Sequence, residues 1–165
     1  MTHKIREVYI VHHSHTDVGY TDLQEQVIYN QANNIRRAVE LIENGIKNNT
    51  PQKDLTWYCV EQFFKMATEE EKEKFFDLVK KGNIGLSANY LNFNDLADCK
   101  YLKEKIHTMQ EICGEQGIQI KTAMIADING ISMGQRDAMI ENGVEFLYTN
   151  IHTHHGMYPL YQNQK

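Results

Sequence analysis

Prolines and cysteines are few in this sequence, and a long apolar segment is missing. Only 2 of its 165 residues are proline, 41% are hydrophobic and 24% are charged, which is typical of a folded globular chain and not of a disordered one. Its three cysteines, Cys59, Cys99 and Cys113, form no CxxC pair, which argues against a disulfide framework and against a cysteine zinc site. We expect a single domain over residues 1–165 that folds with reduced thiols.

An excess of basic residues is also missing. The chain has 17 Lys and Arg against 22 Asp and Glu, a formal net charge of −5, so it offers no basic footprint for nucleic acid or for an anionic membrane surface. The apolar run near the N-terminus extends only from Val8 to Val11, too short for a signal-peptide core or a membrane span. These features predict a cytoplasmic protein with no nucleic-acid partner and no membrane partner.

Strand and helix patterns alternate along the chain. Short apolar runs predict strands at Glu7–His12, Leu55–Val60, Ile84–Ala88, Lys121–Ala126 and Val144–Tyr148. Helical periodicity predicts helices at Asp22–Lys47, Thr68–Lys81, Leu96–Gly114 and Met133–Asn142. Thr68 and Glu71 have the spacing of a capping box. Because parallel strands need helical crossovers, the alternation predicts an α/β fold with a mainly parallel sheet and helices on both faces.

Polar residues follow each predicted strand. In parallel sheets, ligands bind beyond the carboxyl ends of the strands, where the connecting loops converge. The polar residues in those positions are His13, His15, Asp17, Glu61, Tyr90, Asn92, Asn94, Asp95, Asp127, Asn129, Asn150, His152, His154 and His155.

The clearest metal-binding pattern lies in VHHSHTDVGYTD, residues Val11–Asp22. In an extended segment His15 and Asp17 point the same way, so one loop can offer an imidazole and a carboxylate to a single ion. These ligands suit zinc or another divalent metal. The HxD spacing fits a hydrogen-bonded turn equally well, Asp127 fits a turn before Asn-Gly, and the histidines after Asn150 fit a solvated loop.

HSHTDVGY, residues His13–Tyr20, resembles the HSHNDPGW-type signature of glycoside hydrolase family 38, the α-mannosidases. Three later segments resemble parts of the same family in the same order: Trp57–Glu61, Lys81–Asp95 and AMIADINGISMGQRDAM, which is Ala123–Met139. The resemblance extends from Val8 to about His155.

The resemblance implies a β/α domain that hydrolyses α-mannosides with retention at a zinc ion. His15 and Asp17 match two zinc ligands, and Asp127 matches the residue that is both a zinc ligand and the catalytic nucleophile. Tyr20 stands where the family has a tryptophan under the sugar, and we assign Asn129 with it to substrate binding. The implied substrate is an α-mannoside or a mannose-containing oligosaccharide.

The sequence departs from the family in what it lacks. Family members carry an acid/base aspartate and a fourth zinc ligand, a histidine, downstream of the matched region. We therefore expect the chain to be the N-terminal fragment of a larger catalytic domain, inactive alone, with the remainder of that domain as its partner. Val18 also replaces the family's proline, and His152 lies near a position where mannosidases have arginine.

Two other functions are considered. One is a metal-dependent carbohydrate deacetylase, whose usual pair of adjacent aspartates and HxxxH pair are missing from this sequence. The other is a non-catalytic sugar-binding fragment.

Overall fold

The computed structural model describes residues 5–8, 22–44, 52–91, 97–126, 128 and 131–150. In chain order the elements in this part are helix α1 (Gln24–Glu43), strand β1 (Gln52–Thr56), helices α2 (Trp57–Met66) and α3 (Glu69–Lys80), strand β2 (Ile84–Ser87), helix α4 (Cys99–Glu115), strand β3 (Thr122–Ala126), helix α5 (Met133–Glu141) and strand β4 (Phe146–Asn150). The fold is therefore a mixture of helix and strand, as the alternating sequence pattern predicts. No helix in these ranges is long and apolar enough to cross a membrane.

The described residues divide into two compact units. The first contains the residues up to Leu55 together with Cys59–Gly85, and the second contains Thr56–Tyr58 and the residues from Leu86 onward. β1 pairs with β2, and β3 pairs with β4.

Phenylalanines from α2 and α3 form the core of the first unit. The ring centroids of Phe63 and Phe75 lie 5.7 Å apart, and those of Phe64 and Phe76 lie 5.3 Å apart. At these distances aromatic pairs add about 0.5–1.5 kcal/mol beyond the burial of their area. α1 packs against α3 and adds a buried stripe formed by Val27, Ala32, Ile35 and Val39.

The capping box of α3 is confirmed. Thr68 Oγ1 accepts the backbone N–H of Glu71 at 3.2 Å, and Glu71 Oε2 accepts the backbone N–H of Thr68 at 2.8 Å. The helix ends before Gly82, which has φ of 75° and donates its N–H to Val79 O at 3.0 Å. A glycine in the left-handed region directly after the last turn is a common helix end, so local signals define both ends of α3.

In the second unit, β3, α5 and β4 form a parallel β-α-β arrangement. Thr122 is paired with Phe146 and Ala126 with Asn150, so the two strands run in the same direction in register. α5 packs on α4, and Ser132 Oγ caps α5 by accepting the N–H of Gln135 at 3.0 Å. This pair confirms the parallel crossover in general. A larger sheet with helices on both faces stays a prediction.

The predicted strand Leu55–Val60 is wrong. β1 ends at Thr56, and the residues from Trp57 onward are helical. Trp57, Val60 and Phe63 are all buried and follow one another at intervals of three, which places them on one face of a helix. Glu61 consequently lies inside α2 and not at the end of a strand.

The structure differs from the predicted helix Asp22–Lys47 at its start and from the predicted strand Glu7–His12 in the residues that it describes. α1 begins at Gln24 after an N-cap at Leu23 that makes no side-chain capping bond, and Asp22 Oδ1 accepts the adjacent N–H of Leu23 at 2.7 Å. In the predicted first strand, Glu7 and Val8 belong to neither helix nor strand. The remainder of that strand, Tyr9–His12, lies outside the described residues.

Candidate functional site

The predicted metal and substrate ligands lie outside the described residues. These are the proposed zinc ligands His15, Asp17 and Asp127 and the proposed sugar-binding residues Tyr20 and Asn129. The same holds for the other polar residues His13, Asn92, Asn94, Asp95, His152, His154 and His155. The structure does describe the strand ends that lead into several of them.

β3 and β4 end at the same edge of their sheet. Ala126 is the last residue of β3 and is paired with Asn150, the last residue of β4. Asp127 is the next residue in the sequence after Ala126, and the histidine-rich segment follows Asn150. This is the edge at which parallel sheets bind their ligands.

The segment after β2 is bonded to β3. The backbone N–H of Ala88 donates to Thr122 O at 2.9 Å, and the N–H of Met124 donates to Ser87 Oγ at 2.9 Å. The Ser87 hydroxyl in turn donates to Asn89 Oδ1. Ser87 and Asn89 are 1% and 2% exposed, so this short polar chain is fully buried beside the strand that leads to Asp127.

The same segment also caps the start of α2. Trp57 N–H donates to Asn89 O at 3.4 Å, and Tyr58 N–H donates to Tyr90 O at 3.0 Å. The first N–H groups of a helix have no acceptor within the helix. The carbonyls of Asn89 and Tyr90 supply acceptors for two of them. Asn89 is therefore held by its backbone carbonyl and by its side-chain oxygen.

Tyr90 belongs to a cluster of aromatic and cationic side chains. Its ring meets the ring of Tyr58 edge-on, with centroids 5.5 Å apart, and Lys105 Nζ lies 4.9 Å from the Tyr90 centroid. The same ammonium lies 5.6 Å from the centroid of Tyr101. Cation–π contacts of this kind fix the position of Tyr90 beside α4.

Some buried polar atoms of the second unit have no hydrogen-bond partner among the described residues. Among them are Asn89 Nδ2, a donor, and Gln135 Oε1, an acceptor in the first turn of α5. Both side chains are 2% exposed. An unsatisfied buried polar group costs about 1–3 kcal/mol, and native proteins keep few of them. Asn89 directly follows the predicted strand Ile84–Ala88, a position that marks it as a candidate, but its unpartnered amide depends on contacts that the sequence does not show.

The described cysteines and acidic groups form no alternative metal centre. Within the described ranges, no three His, Cys, Asp or Glu side chains lie close enough together to hold a metal ion. Cys113 is fully buried, and its burial raises the pKa of the thiol from 9.0 to about 12. A protonated thiol is a poor metal ligand. The donor set named by the sequence, one imidazole and two carboxylates, is chemically suited to zinc.

No protein-family model matches this sequence, and a search of curated proteins finds no match either. The resemblance carried by HSHTDVGY therefore stays a prediction made from its residues.

Proposed function

We propose that this chain supplies the metal-binding and nucleophile-bearing part of a retaining α-mannosidase. The observation that best supports the proposal is the end of β3: the strand stops at Ala126, directly before Asp127, at the carboxyl edge of a parallel pair. His15, Asp17 and Asp127 are the proposed zinc ligands. Zinc bound by them would orient and polarise the sugar hydroxyls.

Each protein residue has a separate task in the proposed reaction. The carboxylate of Asp127 attacks the anomeric carbon of the mannoside and forms a covalent glycosyl-enzyme as the aglycone leaves. A second carboxyl protonates the leaving oxygen, and then takes a proton from the water that cleaves the ester. Tyr20 stacks on the face of the pyranose ring, and Asn129 binds the sugar through its amide.

We further propose that the α/β fold is layered, with a mainly parallel sheet and helices on both faces, and that it continues past β4. Phe146, Leu147 and Tyr148 alternate between the two faces of β4, yet they are 64%, 40% and 60% exposed. Strands that are apolar on both faces are typical of the interior of parallel sheets. This supports a further neighbour beside β4 in the sheet, and we propose that the acid/base residue and the fourth metal ligand belong to a larger catalytic domain.

The decisive substitution is Asp127→Asn in the intact catalytic protein. It keeps the size of the side chain and removes the attacking charge, so hydrolysis of an aryl α-mannoside should fall by several orders of magnitude. Asp77→Asn is the matched control, because Asp77 is exposed on α3 and pairs with Lys81 there. This control should keep wild-type turnover.

A fluorosugar inhibitor and two substrates separate the candidate functions. A mannosyl adduct trapped on the peptide that contains Asp127 supports the proposal, and an adduct on another carboxylate contradicts it. Acetate released from an acetylated oligosaccharide, without aryl alcohol from the mannoside, identifies a deacetylase instead. Mannose binding that persists in a chelator without turnover identifies a non-catalytic sugar-binding protein.

A further inference from the structure

Asn89 is held rigidly at the carboxyl end of β2. Its backbone carbonyl accepts the N–H of Trp57 at 3.4 Å, and its Oδ1 accepts the hydroxyl of Ser87. Ser87 is tied to β3 in turn, because its Oγ accepts the N–H of Met124. A side chain fixed at both ends is pre-organised, so it can bind a ligand without losing much conformational freedom.

The orientation of the Asn89 amide follows from this chain of bonds. Ser87 Oγ already accepts from Met124, and its single proton needs an acceptor, which Asn89 Oδ1 provides. Within the part of the chain that the structure describes, the Nδ2 group has no partner although the residue is 2% exposed. Buried donors in native proteins are almost always satisfied by protein, water or ligand, so this N–H is the kind of group that a ligand completes.

The position of Asn89 connects it with the proposed reaction. One serine joins it to Met124, and β3 ends two residues later at Ala126, directly before Asp127. Both Asn89 and Asp127 thus follow the carboxyl ends of strands, where parallel sheets bind their ligands. An amide N–H cannot coordinate a cation, which excludes a role for this atom as a further metal ligand.

We propose that Asn89 is a sugar-binding residue whose Nδ2 donates a hydrogen bond to a hydroxyl oxygen of the bound mannoside. This inference rests on the proposed function, because it places the sugar of that reaction beside β2 and β3. A neutral donor suits a neutral hydroxyl, and a sugar presents several such acceptors.

The side-chain amide can be observed directly by nuclear magnetic resonance. The chain is labelled with nitrogen-15, loaded with zinc and titrated with methyl α-D-mannopyranoside, and the Asn89 signals are assigned by their loss in Asn89→Leu. These signals should shift and saturate. Asn142 is the internal control, because its Nδ2 is already satisfied by Ala138 O at 2.8 Å, and its signals should stay in place.

A double substitution separates binding from structure. Ser87→Ala with Asn89→Leu removes the buried hydroxyl and amide together but also leaves the backbone N–H of Met124 without its acceptor, so the melting temperature should fall. The dissociation constant for methyl α-D-mannopyranoside should increase about threefold to tenfold, as for the loss of one neutral hydrogen bond. Asn142→Leu should lower stability as well but leave the affinity unchanged, so only the change in affinity reports on sugar binding.

Failure of this inference can be told apart from failure of the proposed function. If the mannoside binds and shifts other signals but leaves Asn89 and the double variant unaffected, Asn89 is not a sugar-binding residue and the mannosidase proposal stands. If Asn89 responds to methyl α-D-glucopyranoside and not to the mannoside, Asn89 binds sugar and the mannosidase proposal fails. If neither sugar shifts its signals, the inference is overturned.

Discussion

Glu71 connects two stabilising contacts of the first unit through one carboxylate. Its Oε1 accepts from Arg36 Nε at 2.5 Å, which ties α3 to α1, and its Oε2 closes the capping box at Thr68. The side chains of Arg36 and Glu71 are each 28% exposed, so salt screens their interaction less than it screens a fully exposed pair. Two substitutions at this position separate the ion pair from the cap.

Glu71→Gln should remove only the ion pair, because glutamine also serves as the third residue of a capping box. We expect a loss of about 1 kcal/mol in the free energy of unfolding, at the upper end for exposed ion pairs. Glu71→Ala removes the cap as well, and a lost cap adds roughly 1 kcal/mol. For a chain of this length these losses lower the melting temperature by about 2–4 °C and about 4–8 °C.

The pH dependence follows from the direction of the pKa shift. The hydrogen bond from Arg36, and after it the backbone hydrogen bond from Thr68, hold the pKa of Glu71 below its ordinary value of 4.5. A carboxyl with a lowered pKa in the folded state contributes its full stability above its unfolded pKa, and loses it as the pH falls through the folded value. The difference between wild type and Glu71→Gln should therefore be complete at neutral pH and should shrink in acid.

Urea unfolding followed by circular dichroism, at neutral pH and in acid, gives the free energies. Glu73→Gln is the matched control, because Glu73 is exposed on the same helix. A loss for Glu71→Gln no larger than that for Glu73→Gln would refute the coupling between α1 and α3. A difference that grows as the pH falls would refute the assigned direction of the pKa shift.

Two further predictions concern single residues. Cys113 should resist alkylation by iodoacetamide in the folded protein at mildly alkaline pH, because burial raises its pKa to about 12. The partly exposed Cys59 and Cys99 should react first. Peptide mass spectrometry that finds Cys113 modified at the rate of the other two would contradict its burial. Ala substitutions at Gly82 and Gly114 should change stability in opposite directions, since an added Cβ meets nothing within 4 Å at either position but only Gly82 has positive φ, at +75°. Gly82→Ala should cost about 1–2 kcal/mol and Gly114→Ala should gain about 0.5–1 kcal/mol, and thermal unfolding that gives the same sign for both would refute this explanation.

Local sequence signals predicted those elements whose ends are defined by neighbouring residues. The capping box of α3 is an interaction between residues three apart, and the periodicity of α4 is set by its own buried face, so both are visible in the sequence. The pairing of β3 with β4 follows from the rule that a helical crossover joins parallel strands.

The predicted strand Leu55–Val60 is wrong from Trp57 onward because a short apolar run fits both a buried strand and a buried helix. Burial of Val60 and Phe63 resolves the ambiguity in favour of a helix, and the helix start depends on carbonyls of Asn89 and Tyr90, which are distant in the sequence. The unpartnered amide of Asn89 was equally hidden. The orientation of the amide depends on its bond to Ser87 and on the bond from Met124 to Ser87. No pattern in the sequence indicates that β3 lies beside Ser87 and Asn89.

The proposed metal site can be tested most directly by calorimetric titration of the chain with zinc, on wild type, His15→Ala and His107→Ala. His107 is exposed on α4, where its Nε2 lies 3.3 Å from Glu111 Oε1, so its substitution controls for the loss of a surface histidine. We predict one saturable zinc site in wild type and in His107→Ala, and no such site in His15→Ala. Without the imidazole of His15, two carboxylates remain, which are too few ligands to hold zinc with the same affinity. Equal zinc binding by wild type and His15→Ala would contradict the metal site on which the proposed function depends.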